Sequence, residues 1–179
     1  MMIAKQLKNK NIAEYLLYMW QMEDLIRAHG CDMDALYQNV LLHYPEETRE
    51  EAVEWFSNLL EMMRAEGVKE KGHLQINRNV LQNLTELHAA LLASTKYPFY
   101  NAAYFKALPF IVELRQKGNQ VAQESELETC FEALYGLLLL RLQKKEVSAG
   151  TMKAMEAISS FLSLLANYYE KERKGELEL

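Results

Sequence analysis

Apolar side chains return every three or four positions along most of this chain, which is the period of an amphipathic α-helix. Seven stretches carry the pattern, and each opens with a residue that commonly starts a helix. The predicted starts are Asn11, Asp32, Pro45, Asn77, Pro98, Ser125 and Ser148. No stretch gives a convincing strand pattern. The sequence therefore predicts an all-α fold, a single compact bundle of about seven helices.

Two of these helices carry features that bear on packing. Pro109 falls on the side of the fifth helix opposite its apolar stripe, so we expect a bend there with the proline facing outward. The sixth helix is apolar almost all round, because residues 137–140 are all leucine. A helix that is apolar on every side is usually buried, so the sixth helix is predicted to be the central one.

The length of 179 residues suits one domain or a domain of two lobes. Half of the residues are hydrophobic and a quarter are charged, which is typical of a globular protein. We predict one domain over residues 1–179, with a possible division into lobes 1–95 and 97–179. Within it, residues 118–124 form the best candidate for a linker.

Charge and hydropathy restrict the partners and the compartment. The net charge of −5 disfavours nucleic acid as a partner, and the third helix opens with Glu46 and Glu47, whose charges would repel phosphate. No apolar run approaches the roughly 20 residues that span a bilayer, and the N-terminus shows no signal peptide. Cys31 and Cys130 form no CxxC pair. We expect a cytoplasmic protein with free thiols and no membrane partner.

Two charged residues lie on helix faces that should be apolar, namely Glu23 on the first helix and Arg141 on the sixth. An unpaired buried charge is costly, so each needs a partner. The two side chains could pair with each other or with tyrosine hydroxyls and fix the helix register. They could instead line a polar pocket for a small ligand. The third possibility is that one of the two charges is exposed.

No known catalytic or metal-binding spacing is present. The chain holds one Glu-x-x-His pair, Glu70 and His73, in a predicted loop, whereas a di-iron bundle needs two such pairs on helices. Neither cysteine has an identifiable base, and no phosphate-binding glycine loop occurs. We therefore expect no metal and no cofactor, and the absence of catalytic residues favours a protein that is not an enzyme.

Aromatic residues cluster around the start of the fifth helix, and the apolar arcs of the third and seventh helices are wider than one stripe. The cluster comprises Tyr97, Phe99, Tyr100, Tyr104 and Phe105. These side chains could belong to the core, or to a partner surface, where aromatic residues and methionine are enriched. A homodimer interface would account for part of the surplus.

Five stretches of the chain are similar to one known family. They are residues 11–27 (NIAEYLLYMWQMEDLIR), 66–80 (EGVKEKGHLQINRNV), 108–117 (LPFIVELRQK), 126–146 (ELETCFEALYGLLLLRLQKKE) and 161–179 (FLSLLANYYEKERKGELEL). Together they resemble the uncharacterised bacterial domain-of-unknown-function family 4924. The resemblance implies a helical bacterial protein of one domain, and it supplies no catalytic residues.

These observations favour a non-catalytic helical module for protein interaction, structure or regulation, which acts as a homodimer or with a protein partner. The alternative is a protein or enzyme that binds a small ligand in a pocket around Glu23 and Arg141.

Overall fold

A computed structural model of the chain describes residues 2–118 and 124–179. These ranges contain eight α-helices and one short 3-10 helix, and no β-strand. The helices are α1 Met2–Lys10, α2 Ile12–Ala28, α3 Met33–Asn39, the 3-10 helix Leu41–His43, α4 Glu46–Ala65, α5 Gln75–Ala93, α6 Pro98–Lys117, α7 Glu126–Leu142 and α8 Ala149–Arg173. The prediction of an all-α fold is confirmed. The candidate linker at 118–124 lies almost wholly outside the described residues.

The chain divides into two compact units. Unit 1 comprises Met1–Lys10 and Glu14–Val80, and unit 2 comprises Asn11–Ala13 and Leu81–Leu179. The boundary falls inside α5, whereas the sequence suggested lobes that part after this helix, at residue 96. A single domain over the whole chain stays a prediction.

Local signals in unit 1 set most helix ends. The carboxylate of Asp32 accepts the backbone N–H of Ala35 at 2.8 Å and so caps α3. At the end of α4, Gly67 adopts a φ of 70°, and the N–H of Val68 donates to the carbonyl of Met63 at 3.0 Å. This is the Schellman ending that the Gly–Val pair predicts. The apolar pattern does not predict α1, which carries three lysines and buries only Ala4 among its residues 3–10.

Unit 2 is built around three long helices. α8 packs against both α6 and α7. It buries seven residues: Met155, Ala157, Ile158, Phe161, Leu162, Leu165 and Ala166. The Ser125 hydroxyl accepts the N–H of Glu128 at 3.1 Å, as the capping box of α7 predicts.

The structure corrects the expectation that α7 is buried on every side. Leu139 and Leu142 are exposed, with 37% and 60% of their surface open to solvent. α8, with its seven buried side chains, holds the position that the sequence assigns to α7. Which side of a helix is buried depends on where the neighbouring helices pack. A run of leucines makes every side of α7 apolar and so does not show which side has a neighbour.

Candidate functional site

The most extensive buried polar cluster of unit 1 surrounds Glu23. This residue lies on α2 with no exposed surface. Nδ1 of His73 lies 2.7 Å from its Oε2. Its Oε1 accepts the N–H of Leu74 at 3.0 Å and Nδ2 of Asn77 at 2.6 Å. Since a carboxylate accepts hydrogen bonds, Nδ1 of His73 carries the proton in this arrangement. Three donors therefore satisfy the buried carboxylate.

All three donors come from the start of α5 and the loop before it. The first N–H groups of a helix have no partner within the helix, and negative charge is favourable beside them. α5 has no acidic residue in its own first turn. Glu23 supplies one carboxylate from α2, and Glu66 supplies another by accepting the N–H of Gln75 at 2.7 Å. The two glutamates thus act as caps that are distant in sequence from the helix they stabilise.

The loop over residues 66–74 is held by further side chains of unit 1. Arg27 donates to the carbonyl of Val68 at 3.2 Å and also to the carbonyl of Gly72. The indole of Trp20 stacks on the imidazole of His73, with ring centroids 4.2 Å apart and planes inclined by 11°. The loop is therefore fixed from α2 by a carboxylate, a guanidinium and an indole.

Asn77 completes the cluster and carries its one unsatisfied atom. The residue is 1% exposed, and its Oδ1 has no hydrogen-bond partner among the described residues. The amide must present its N–H to the carboxylate, and this orientation turns Oδ1 away from every donor. A buried acceptor without a partner costs about 1–3 kcal/mol. The bond to Glu23 offsets that cost.

A histidine oriented by a carboxylate is also the geometry of a general base. His73 keeps 27% of its side-chain surface exposed. No serine or cysteine side chain is hydrogen-bonded to it in the part of the chain that the structure describes. Those same residues contain no group of three or more His, Cys, Asp or Glu that could hold a metal ion. The contacts that His73 makes, with Glu23 and Trp20, hold the loop before α5 against α2.

Arg141 is not on a buried face, which corrects the second half of the predicted polar cluster. Its side chain lies on the exposed side of α7, one residue before the end of that helix, in unit 2. The partners of the Glu23 carboxylate all come from unit 1, and Arg141 is not among them. The sequence pattern placed Arg141 on a buried face because leucines cover nearly every side of α7. The residue spacing alone could not show which side of this helix is buried.

Unit 2 contains a different polar cluster, which is built on aromatic rings. Nδ1 of His88 lies 2.6 Å from the hydroxyl of Tyr100, and the hydroxyl of Tyr104 donates to Glu126 at 2.6 Å. The ring of Phe161 lies against the imidazole and both phenols. This cluster lies in the core that α6 and α8 share.

Burial controls protonation in this second cluster. It lowers the pKa of His88, against the opposing charge of Glu126, and it raises the pKa values of Tyr100 and Tyr104. The hydrogen bond to Glu126 raises the pKa of Tyr104 further. Burial also raises the pKa of the Cys130 thiol to about 12, so this cysteine is a protonated core residue and not a nucleophile.

The predicted aromatic cluster divides between the core and the surface. Tyr100 and Tyr104 are buried, whereas Phe99 and Phe105 are 82% and 61% exposed. Phe105 belongs to a surface that we call the α6 outer face. It consists of six exposed residues: Ala102, Phe105, Lys106, Pro109, Val112 and Glu113. Pro109 lies at its centre and faces outward, as the sequence predicts.

A surface cavity of about 420 Å³ lies beside the first turn of α8 and the last turns of α6. Its charged and hydroxyl side chains include Lys117, Ser148 and Lys153, all of which are exposed. The Ser148 hydroxyl caps α8 by accepting the N–H of Thr151 at 3.2 Å. With no buried polar group directed into it, this cavity does not have the construction of a specific ligand site.

Fold and site together define an all-α protein with one buried polar cluster at the start of α5 and a second one in the core of unit 2. A family model described as Domain of unknown function (DUF4924) matches residues 1–176, and the chain belongs to that family. No curated protein and no solved structure matches the chain. Within the described residues, no helix has the length and apolar character that crossing a membrane requires.

Proposed function

We propose that this protein is a non-catalytic interaction module of the cytoplasm that works by self-association, with the α6 outer face as its contact surface. The exposure of Phe105 carries the proposal. Phe105 is 61% exposed, and Val112, two turns further along the same side of α6, is 43% exposed. The opposite side of the same helix is packed in the core. Contiguous apolar surface of this kind marks interaction sites in proteins that do not span membranes.

The partner that best fits this surface is a second copy of the chain. The α6 outer face carries one positive charge, Lys106, and one negative charge, Glu113, with apolar residues between them. It is therefore neutral as a whole, although the chain has a net charge of −5. An acidic or basic partner would leave one of the two charges facing its own sign.

The cytoplasmic part of the proposal is supported by the cysteines. Cys31 and Cys130 are both free and buried. Unpaired thiols are usual in a reducing compartment.

The test is sedimentation velocity over a range of protein concentrations at physiological ionic strength. We expect a reversible dimer, and we expect Phe105→Ser to weaken association at least about tenfold, because an exposed aromatic anchor is a typical hot spot. Leu142→Ser is the matched control, since Leu142 is 60% exposed but lies on α7. A wild-type chain that stays monomeric, or an equal loss in both variants, would refute the proposal.

A further inference from the structure

We infer that two copies pair through their α6 outer faces in antiparallel orientation, about a two-fold axis at Pro109. The inference rests on the proposed function and adds the register of the pairing. At 100° per residue, Phe105 and Val112 lie about 40° and 60° to one side of Pro109. Lys106 and Glu113 lie about 60° and 40° to the other side. The outer face therefore has an apolar flank and a charged flank on either side of the proline.

An antiparallel two-fold axis brings like flanks together and reverses their order. Phe105 lies four residues before Pro109 and Val112 three residues after it. Across the axis, Phe105 then comes level with the partner's Val112 to within one residue, or about 1.5 Å along the helix. Each ring meets an aliphatic side chain, and this contact occurs twice in the dimer.

The residues of the charged flank have the same spacing about Pro109. Lys106 precedes Pro109 by three residues and Glu113 follows it by four. Lys106 therefore comes level with the partner's Glu113, again twice. Within its own chain, Glu113 is paired with Lys117 at 2.5 Å, so each carboxylate would sit between two ammonium groups. The order of apolar and charged residues on the face is therefore complementary to itself.

A parallel pairing of the same helices lacks this complementarity. A two-fold axis along the helices would bring each charged flank against the partner's apolar flank. Lys106 and Glu113 would then have no opposite charge to pair with across the interface.

Single cysteine substitutions test the register directly. Pro109→Cys places two thiols at the axis, where oxidation should join the copies, because a disulfide needs Cα atoms less than about 7 Å apart. Gln116→Cys is at an exposed position of the same helix, about 20° from Pro109 around the helix axis and seven residues further along the chain. Its two copies would be about 21 Å apart in the antiparallel dimer and adjacent in a parallel one. The native cysteines are buried, and the wild-type chain under the same oxidation is the blank.

Charge reversal gives an independent test of the antiparallel register. We expect Lys106→Glu alone to weaken dimerisation about tenfold, and Lys106→Glu with Glu113→Lys to restore it to within about threefold, because the double variant rebuilds both pairs with opposite sign.

The two experiments together decide the register. Cross-linking of the Pro109→Cys variant but not of the Gln116→Cys variant, together with rescue by the double charge reversal, supports it. A dimer that depends on Phe105 but cross-links equally in both cysteine variants, or shows no rescue, overturns the register and leaves the proposed function standing. A chain that does not dimerise at all overturns both.

Discussion

The two units bury polar side chains in different ways. In unit 1 a whole carboxylate, that of Glu23, lies out of contact with solvent and accepts three hydrogen bonds. In the aromatic cluster of unit 2 the buried groups are an imidazole and two phenols, and Glu126, the carboxylate in contact with them, is partly exposed. The first cluster stabilises the start of a helix, and the second lies in the core between helices.

The difference shows what makes a buried polar group tolerable. A carboxylate needs several donors at once, and the start of a helix provides backbone N–H groups that otherwise lack partners. A tyrosine or a neutral histidine needs about one partner and brings a large apolar ring with it. Removing one member should therefore have unequal effects in the two units.

The largest effect should follow from Glu23→Ala. The substitution leaves Leu74, Asn77 and His73 without their acceptor and removes one of the two carboxylates that cap α5, so we expect a loss of about 3–5 kcal/mol in the free energy of unfolding. Urea titration followed by circular dichroism measures it, at one fixed protein concentration because a dimer adds its own stability. Glu61→Ala, at an exposed position of α4, should change the value by less than about 0.5 kcal/mol. Equal losses in the two variants would contradict the role given to Glu23.

A smaller effect is expected from Tyr100→Phe in unit 2. The variant keeps the buried ring but leaves Nδ1 of His88 unpaired, which should lower the free energy of unfolding by about 1–3 kcal/mol. Tyr168→Phe is the control, because Tyr168 is partly exposed and packs its ring against Tyr100. If both variants lose the same free energy of unfolding, the hydrogen bond between Tyr100 and His88 makes no contribution to stability beyond that of ring packing.

The smallest effect concerns pH. Burial holds the pKa of His88 below its usual value, so the unfolded chain takes up a proton there more readily than the folded chain. Stability from this residue is complete above about pH 6.5 and is lost as the pH falls from there towards the folded pKa. The slope cannot exceed about 1.4 kcal/mol per pH unit, the limit for one proton. His88→Asn should flatten the curve of stability against pH, whereas a matched His43→Gln variant at an exposed position should follow the wild type. An unchanged slope in His88→Asn would show that His88 does not titrate with unfolding.

Helix positions could be predicted because their signals are local. The start of α6 at Pro98 and its end at Lys117 both follow from the pattern around them, and so do the capping serines of α7 and α8. The helix α1 lacks such a signal, because its lysines interrupt the apolar spacing. Local rules fix where helices begin and end, and long-range contacts fix which of their sides are buried.

The cluster around Glu23 shows where sequence reasoning stops. The unusual position of Glu23 can be recognised from the sequence, because its charge interrupts the apolar side of the helix. Its partners His73 and Asn77 lie 50 and 54 residues further on, and only the folded path of the loop brings them to α2. The unpaired N–H groups at the start of α5, with no acidic residue in its first turn, were the one available signal that a distant carboxylate was needed there.

The stacking of Trp20 on His73 has a practical consequence. Trp20 and Trp55 are the only tryptophans of the chain, and both belong to unit 1. Indole emission, excited where tyrosine does not absorb, therefore reports on the first unit and not on the second. Far-ultraviolet circular dichroism reports on the helices of both units. If both signals are recorded on one sample during thermal unfolding, they will show whether the two units unfold in a single cooperative step or one after the other.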